Sequence, residues 1–395
     1  MSSRLLKHCH DIADLREAAK RRLPRLFFDY VDGGSHSETT MRWNVTDYER
    51  WRLMPRALRD AASIDLTSKF LGKRHALPFM LGPVGYLGML CRRGDITATR
   101  AANNAGIPSS VATFSIAALE DIAAACDRNA AFQLYVFRDR ALSQDLLARA
   151  WASGLRSLII TVDTPITPTR PRDARNGFRK MVRLSPNHLV DMALHPGWSC
   201  DMLQYGGIEV ANLARYGMGS GILEQSGRIA AAIDPSLNWS DLAWLRAQWN
   251  GHLYVKGILS AQDARACQDQ GADGIIVSNH GGRQLDFAPS SISCLPRVRA
   301  AVDDDFEVLF DGGIRRGSDV AIALALGANA VLLGRAYAWG LAGFGEAGVA
   351  AAIQILANEL ASTLTLMGIT SVDALRMAAP EQLMAVSRAG QNQDV

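Results

Sequence analysis

Gly274-Ile275-Ile276-Val277-Ser278-Asn279-His280-Gly281-Gly282-Arg283-Gln284-Leu285-Asp286 is the stretch on which the reading of this chain turns. An apolar, β-branched run of the kind that makes a parallel strand buried on both faces ends at Ser278 and passes into polar residues and two glycines. That is the pattern of a strand tip. Beyond it His280 and Arg283 stand three apart, an imidazole able to take a proton near neutral pH beside a planar cation suited to a carboxylate. Together they point to proton abstraction from an anionic small molecule.

Working outward, seven more short apolar runs end in small or polar residues and are followed by helical stretches. They are Phe79 to Gly82, Ser110 to Thr113, Phe132 to Val136, Leu158 to Val162, Leu253 to Lys256, Val308 to Asp311 and Val331 to Gly334. Centres of the eight runs (81, 111, 134, 160, 254, 276, 309 and 332) lie 22 to 33 residues apart, with one gap of 94. Eight strand-helix units predict an α/β fold, a closed (β/α)8 TIM barrel with its chemistry at the strand C-termini. The long gap predicts an insertion between strands 4 and 5, placed at about residues 176–234, far above ordinary loop lengths. A helix over residues 11–32, kinked or restarted at Pro24 and ended by Gly33-Gly34, opens an N-terminal cap of about residues 1–75. From Tyr30 to Trp51 no regular pattern shows. All 395 residues read as one domain, with a tail beyond Gln391 that is expected to fray.

Composition narrows the function. The chain is 48% hydrophobic with a formal charge of only +3, which supports a large core and argues against nucleic acid as a partner. Its six cysteines are scattered, with no Cys-x-x-Cys pair, so neither zinc nor a disulfide framework is indicated. Residues 1–14 are polar and lack a signal-peptide core. No apolar run reaches the ~18–20 residues of a spanning helix, so any membrane contact is expected to be peripheral. The insertion suits such contact: Arg175, Arg179, Lys180 and Arg183 precede Leu189, Val190, Met192, Leu194, Trp198, Met202, Leu203 and Tyr205. A lid or subunit contact would show the same pattern.

The strand ends collect polar groups on one barrel face: Gln133 and Tyr135, Thr161 and Asp163, Lys256, Ser278 with His280 and Arg283, and Asp311. Asp163 is placed to orient His280 and stabilise its protonated form. Arg170 and Arg283 together suggest a carboxylate clamp. Asp311-Gly312-Gly313-Ile314-Arg315 and Gly334-Arg335 follow strands 7 and 8, where such barrels hold phosphate on glycine amides and Arg charge. Lys256, a lysine in a buried strand, needs an anion, and a cofactor ring that turns negative on reduction would supply one.

With these residues in hand the sequence resembles the FMN-dependent L-2-hydroxy acid dehydrogenase and oxidase family over nearly its whole length. Ser278 to Asp286 carries the resemblance, supported by Phe28-Asp29-Tyr30, Gly82-Pro83-Val84-Gly85, Gln133-Leu134-Tyr135, Thr161-Val162-Asp163, Val255-Lys256-Gly257 and Asp311 to Arg315. Leu194-His195-Pro196-Gly197-Trp198 and Asp234-Pro235-Ser236-Leu237-Asn238-Trp239 are most similar to the membrane-associated bacterial L-lactate and (S)-mandelate dehydrogenases.

The resemblance implies oxidation of an L-2-hydroxy acid to the 2-oxo acid, with electrons passing to FMN as hydride or through a carbanion, then to a quinone or other carrier. His280 would be the base and Asp163 its partner. Arg283, Arg170 and Tyr30 would hold the substrate carboxylate, and Tyr135 the hydroxyl. FMN would contact Pro83, Val84, Gly85, Gln133, Thr161, Lys256, Ser278, Asp311 and Gly312, with its phosphate at Gly313, Arg315, Gly334 and Arg335. Ala112 stands where several members have a flavin-contacting Ser, so that bond is absent or moves to Thr113. Gly85 resembles quinone-reducing members more than oxidases. The resemblance further implies a membrane-contacting insertion, a place on the cytoplasmic side of the inner membrane and a homotetramer. An O2-using oxidase, a flavin-binding barrel isomerase and a non-catalytic binding barrel at the membrane are the competing readings. Phe114, Thr167 and Tyr86 are expected to line the substrate pocket.

Overall fold

The computed structural model describes residues 5–178, 184–204, 208–219 and 221–386. Arg179, Lys180, Arg183, Tyr205 and the tail beyond Gln391 lie outside the described residues. Eight parallel strands close a barrel: β1 (Phe79–Leu81), β2 (Ser109–Ala112), β3 (Ala130–Leu134), β4 (Ser157–Thr161), β5 (His252–Ile258), β6 (Gly274–Val277), β7 (Glu307–Asp311) and β8 (Ala330–Leu333), with β8 paired to β1. All eight fall on the runs read from sequence. Such strands are covered by helices outside and by one another inside, which is why they read as continuous apolar runs and not as an alternation.

Met80, Ala131, Ile159, Tyr254, Ile276, Leu309 and Leu332 fill the barrel, and Phe70 and Leu71 of a hairpin (Ser68–Phe70 with Lys73–His75) close its N-terminal end. The ladder slips once, between Lys256 and Ile258 on β5. Gly257 sits at that bulge with φ +108°, and a Cβ there would lie 2.6 Å from Asp163 Cβ. Only glycine lets β5 pass this close to the tip of β4.

Pro24 divides the predicted N-terminal helix in two, Ile12–Arg22 and Arg25–Asp32, with an Asp11/Asp14 capping box at the first. The segment without visible pattern contains a two-turn helix, Thr39–Thr46. Tertiary bonds hold it: Asn44 and Asn279 exchange amide hydrogen bonds of 2.7 and 2.8 Å, and Thr40 Oγ1 donates to Ala288 O at 2.8 Å. Periodicity is blind to such a helix.

Between β4 and β5 run the helices Pro171–Asn176, Pro186–Ala193, Pro196–Leu203 and Ile222–Ala232, followed by the barrel helix Trp239–Gln248. The apolar residues of this excursion divide. Trp198 is buried against Phe27, ring centroids 4.6 Å apart, and its Nε1 donates to Met89 O at 2.8 Å; Leu189, Val190, Leu194 and Leu203 are exposed. The helix Glu346–Met367 is long and apolar enough to span a bilayer by length and composition, with mean hydropathy 1.4 over its best window. Its Val349, Ile353, Leu356, Leu360 and Leu364 are buried in the core, and Gln354, Asn358 and Glu359 interrupt its apolar sequence.

Candidate active site

The C-terminal mouth of the barrel is a cleft of about 1220 Å³ including its opening. Of the residues picked from sequence, Tyr30, Pro83, Val84, Gly85, Gln133, Tyr135, Arg170, Lys256, His280, Arg283, Asp311, Gly312, Gly313, Arg315, Gly334 and Arg335 line it. Phe114 and Thr167 line it too. Asp163, Thr161, Ser278 and Thr113 stand one layer behind. Thr113 is fully buried, donates from Oγ1 to Gln133 O at 2.6 Å and accepts from Tyr135 N at 3.1 Å. Its neighbours Ala112 and Phe114 take the cleft side of the chain, so the bond proposed to move to Thr113 has no hydroxyl to receive it there. Thr161 Oγ1 accepts from Gln133 Nε2 at 3.0 Å and steers that amide. Tyr86 also sits behind, packed on Tyr30 and Phe114.

His280 occupies a left-handed conformation, φ +60°, followed by Gly281 and Gly282 at +65° and +72°. A non-glycine residue there costs about 1 kcal/mol or more. The turn is held by bonds from His280 N to Ser278 Oγ (3.0 Å), Gly282 N to Asn279 Oδ1 (3.1 Å) and Ser35 N to Gly282 O (3.0 Å). The imidazole is thereby aimed. Nδ1 lies 2.9 Å from Asp163 Oδ1 and Nε2 lies 3.4 Å from Tyr135 OH, so Nε2 faces the cleft. Burial pulls the His280 pKa below its ordinary value, with Lys256 and Arg170 adding to the fall and Asp163 opposing it. Burial alone would raise the Asp163 carboxyl, but His280 and Lys256 outweigh it and hold it below the usual range. A neutral imidazole beside an ionised carboxylate is the resting state of a general base.

Arg283 is tethered by Nη1 to Tyr30 O (2.7 Å) and Gly33 O (2.8 Å), with its guanidinium 5.0 Å from the Tyr30 ring centroid. Arg170 lines the same cleft, with Nη2 3.4 Å from both Arg283 O and Gln284 Oε1. Pro168 and Pro171 therefore leave Arg170 at the mouth. Lys256 differs from the expectation. Its Nζ lies 2.8 Å from Asp311 Oδ2 and donates to Ser278 Oγ at 2.7 Å, so an anion is already supplied by the chain. Burial would lower the lysine pKa, but Asp311 and Asp163 outweigh it and raise it.

Arg315 and Arg335 line the same cleft, and Arg335 stands beside Arg283, since both donate to Gly33 O. Arg335 donates to Val31 O, Gly281 O and Gly33 O at 3.2, 2.8 and 2.7 Å, and Arg315 stacks 4.6 Å from the Trp339 ring. Neither has a carboxylate within ion-pair distance among the described residues. Burial, reinforced by Arg283 and Arg315, pushes Arg335 down to about 9, and burial pushes Arg315 down to about 10. Asp32 and Glu38 offset only part of the fall at Arg335, and Asp319 and Asp32 only part at Arg315, so these buried guanidiniums favour an anion. A Cβ on Gly334 would meet nothing within 4 Å, leaving room at the N-terminus of the helix Arg335–Phe344, where a phosphate is favoured. Gly313 is glycine for another reason as well: a Cβ would lie 1.8 Å from Asn44 O of the cap. These features fit a phosphate-bearing cofactor, and Gly82 to Gly85, Ala112 and Leu332 add small and apolar lining to the same cleft.

Sequence reasoning missed Val31, Thr164, Gln284 and Ile233, all in the lining. Gln284 lay within the motif itself; its Nε2 donates to Asp163 O at 2.8 Å and ties the loop of Asp163 to that of His280. Ile233 carried no signal.

Comparison with known proteins agrees with this geometry. The profile of the FMN-dependent dehydrogenase family matches residues 19–381. The chain is 45% identical over 381 residues to an L-lactate dehydrogenase of Caulobacter vibrioides (95% of this chain, 98% of that one). It is 42% identical over 361 residues to one of Allorhizobium ampelinum (91% and 95%). A solved structure of (S)-mandelate dehydrogenase, described as a monotopic membrane protein, superposes with a TM-score of 0.91 at 38% identity, covering 96% of this chain and all of the other.

Proposed function

The chain belongs to the FMN-dependent dehydrogenase family and takes FMN as its cofactor, and on that premise we propose that it oxidises an L-2-hydroxy acid of lactate or mandelate type to the 2-oxo acid. One observation carries the reading: the cleft-facing Nε2 of His280 shares its cavity with Arg283, Arg315 and Arg335, and the last two have no ion-paired carboxylate among the described residues. FMN, when bound, accepts the two electrons that leave the substrate's α-carbon. Arg315, Arg335 and the helix start at Gly334 would hold its phosphate, and Pro83 to Gly85, Gln133 and Lys256 its ring.

Arg283 and Arg170 bind the substrate carboxylate and fix which face of the α-carbon is presented, and Tyr30 lends its hydroxyl beside them. His280 Nε2 takes one proton. Asp163 at Nδ1 holds the reactive tautomer and stabilises the imidazolium. Tyr135 OH, next to Nε2, positions the substrate oxygen. Lys256, held by Asp311 and Ser278, keeps positive charge beside the ring whatever its redox state.

Electrons leave to a quinone or another carrier. Exposed Leu189, Val190, Leu194 and Leu203, on helices fixed to the body by Trp198, support peripheral contact with a membrane; its cytoplasmic face and a homo-oligomeric state belong to the same proposal. The reading is tested by anaerobic titration of purified FMN-loaded protein with L-lactate, (S)-mandelate and glycolate. Bleaching of the flavin by at least one of them is expected; a flavin that none of them reduces would refute it. Fast reoxidation by a quinone analogue and slow reoxidation by air separates dehydrogenase from oxidase.

A further inference from the structure

Ile233 reaches the cleft from the far end of the long excursion, and a set of bonds brings it there. It forms an antiparallel bridge with Phe137, just past the tip of β3, flanked by Arg138 N to Ala232 O and Asp234 N to Val136 O, both 3.0 Å. Arg140 then locks the junction. Its Nη2 donates to Asp234 Oδ2 at 2.6 Å and to Asp241 Oδ1 at 2.7 Å, its Nη1 donates to Phe137 O at 2.5 Å, and its guanidinium lies 5.7 Å from the Trp244 ring centroid. Asp234 is nearly buried and also accepts from Ser236 N and Oγ, at 2.9 and 2.6 Å. Asp241 accepts from Asn238 N at 2.9 Å in the capping box of Trp239–Gln248. One guanidinium thus joins the end of the excursion, the start of a barrel helix and the strand tip that carries Tyr135.

We propose that Ile233 is a specificity-determining wall for the substrate's side chain, and that Arg140 is the positioning residue that sets where this wall stands. The inference rests on the reading of the cleft as a 2-hydroxy acid site. Ile233 has no polar atom to offer the carboxylate, which Arg283 and Arg170 hold, so it acts on the group attached to the α-carbon. A β-branched side chain has few rotamers, and once its backbone is fixed its shape is fixed too. Arg140 touches neither substrate nor cofactor; it acts through the backbone of residues 232 to 234.

The test compares KM and kcat for L-lactate and (S)-mandelate in wild type, Ile233→Ala, Arg140→Gln, Asp241→Asn and the double variant Arg140→Gln/Ile233→Ala, each loaded with FMN. Ile233→Ala is expected to raise KM for lactate about tenfold while raising it less, or lowering it, for mandelate, the size of effect that one apolar wall exerts. Arg140→Gln shifts the KM ratio in the same direction, changes kcat less than KM, and adds nothing to the ratio in the Ile233→Ala background. Asp241→Asn keeps the Asp234 bond, so it shifts the ratio less and stands in for Arg140→Gln if that variant does not fold. An unchanged ratio in Ile233→Ala, a uniform fall in kcat for both acids in Arg140→Gln, or additive effects in the double variant would overturn the proposal. Failure of every acid to reduce the wild-type flavin would remove its premise, and the proposal with it.

Discussion

The two ends of the barrel use the same strands to opposite purposes. At the N-terminal end, Glu307 Oε2 on β7 accepts from Tyr254 OH at 2.7 Å and from Leu71 N at 2.9 Å, and Phe70 and Leu71 plug what remains. At the C-terminal end, Asp163 Oδ2 and Asp311 Oδ1 are buried without hydrogen-bond partners, His280 is held left-handed, and no carboxylate among the described residues ion-pairs with Arg315 or Arg335. One end is satisfied and the other is not. Unpaired polar groups cost stability, so a fold keeps them where a ligand will complete them, and the contrast itself marks which end is the site.

Changes at the two ends should therefore behave oppositely. The largest effect is expected from Asp163→Asn, which leaves His280 without its charge partner: kcat/KM should fall roughly 10²- to 10⁴-fold with FMN still bound. Stopped-flow flavin reduction measures it, and a fall below tenfold would break the assignment. Arg315→Met should weaken FMN binding about 10- to 100-fold while costing the apoprotein little stability, because it removes a buried cation that is ion-paired to no carboxylate and is only partly offset by Asp319 and Asp32. Flavin titration and thermal melting of the apoprotein read the two halves separately. At the satisfied end Tyr254→Phe should cost about 1–2 kcal/mol of stability and leave kcat/KM unchanged, since the hydroxyl only completes Glu307. A loss of activity at full folding would show that the ends are not independent.

The smallest effect is in pH. His280 titrates below its ordinary 6.5 because of burial, so kcat/KM should rise with pH along a limb whose midpoint lies below that value. The sign for stability is the same. The unfolded chain binds the proton more tightly, so the histidine's contribution is present above 6.5 and lost as pH falls through the folded value. A limb centred above 6.5 would contradict this account of the imidazole.

Strand positions and the motif were legible because they are local: parallel strands buried on both faces are unbroken apolar runs, and Ser278 to Asp286 carries its base, its cation and its left-handed glycines within nine residues. The gap of 94 located the long excursion by counting alone. What sequence hid is what distance assembles. Ile233 enters the cleft only through its bridge to Phe137, and Asn44 meets Asn279 across 235 positions. The counter-ion of Lys256 was misjudged for a related reason: Asp311 was read for the loop that follows it, whereas the pleat of β7 turns its carboxylate toward β5. Of the two alternatives left by Ala112, Thr113 stands one residue of alternation away from the cleft, its hydroxyl donating to Gln133 O.

The central claim is that His280 takes the substrate's proton while Arg283 holds its carboxylate in the same cleft. Anaerobic single-turnover mixing of FMN-loaded wild type and His280→Ala with L-lactate and (S)-mandelate tests it most directly. The account predicts that both proteins carry flavin and that the acid which bleaches the wild type leaves His280→Ala coloured, slower by at least about 10²- to 10⁴-fold. Bleaching of His280→Ala at the wild-type rate would contradict it.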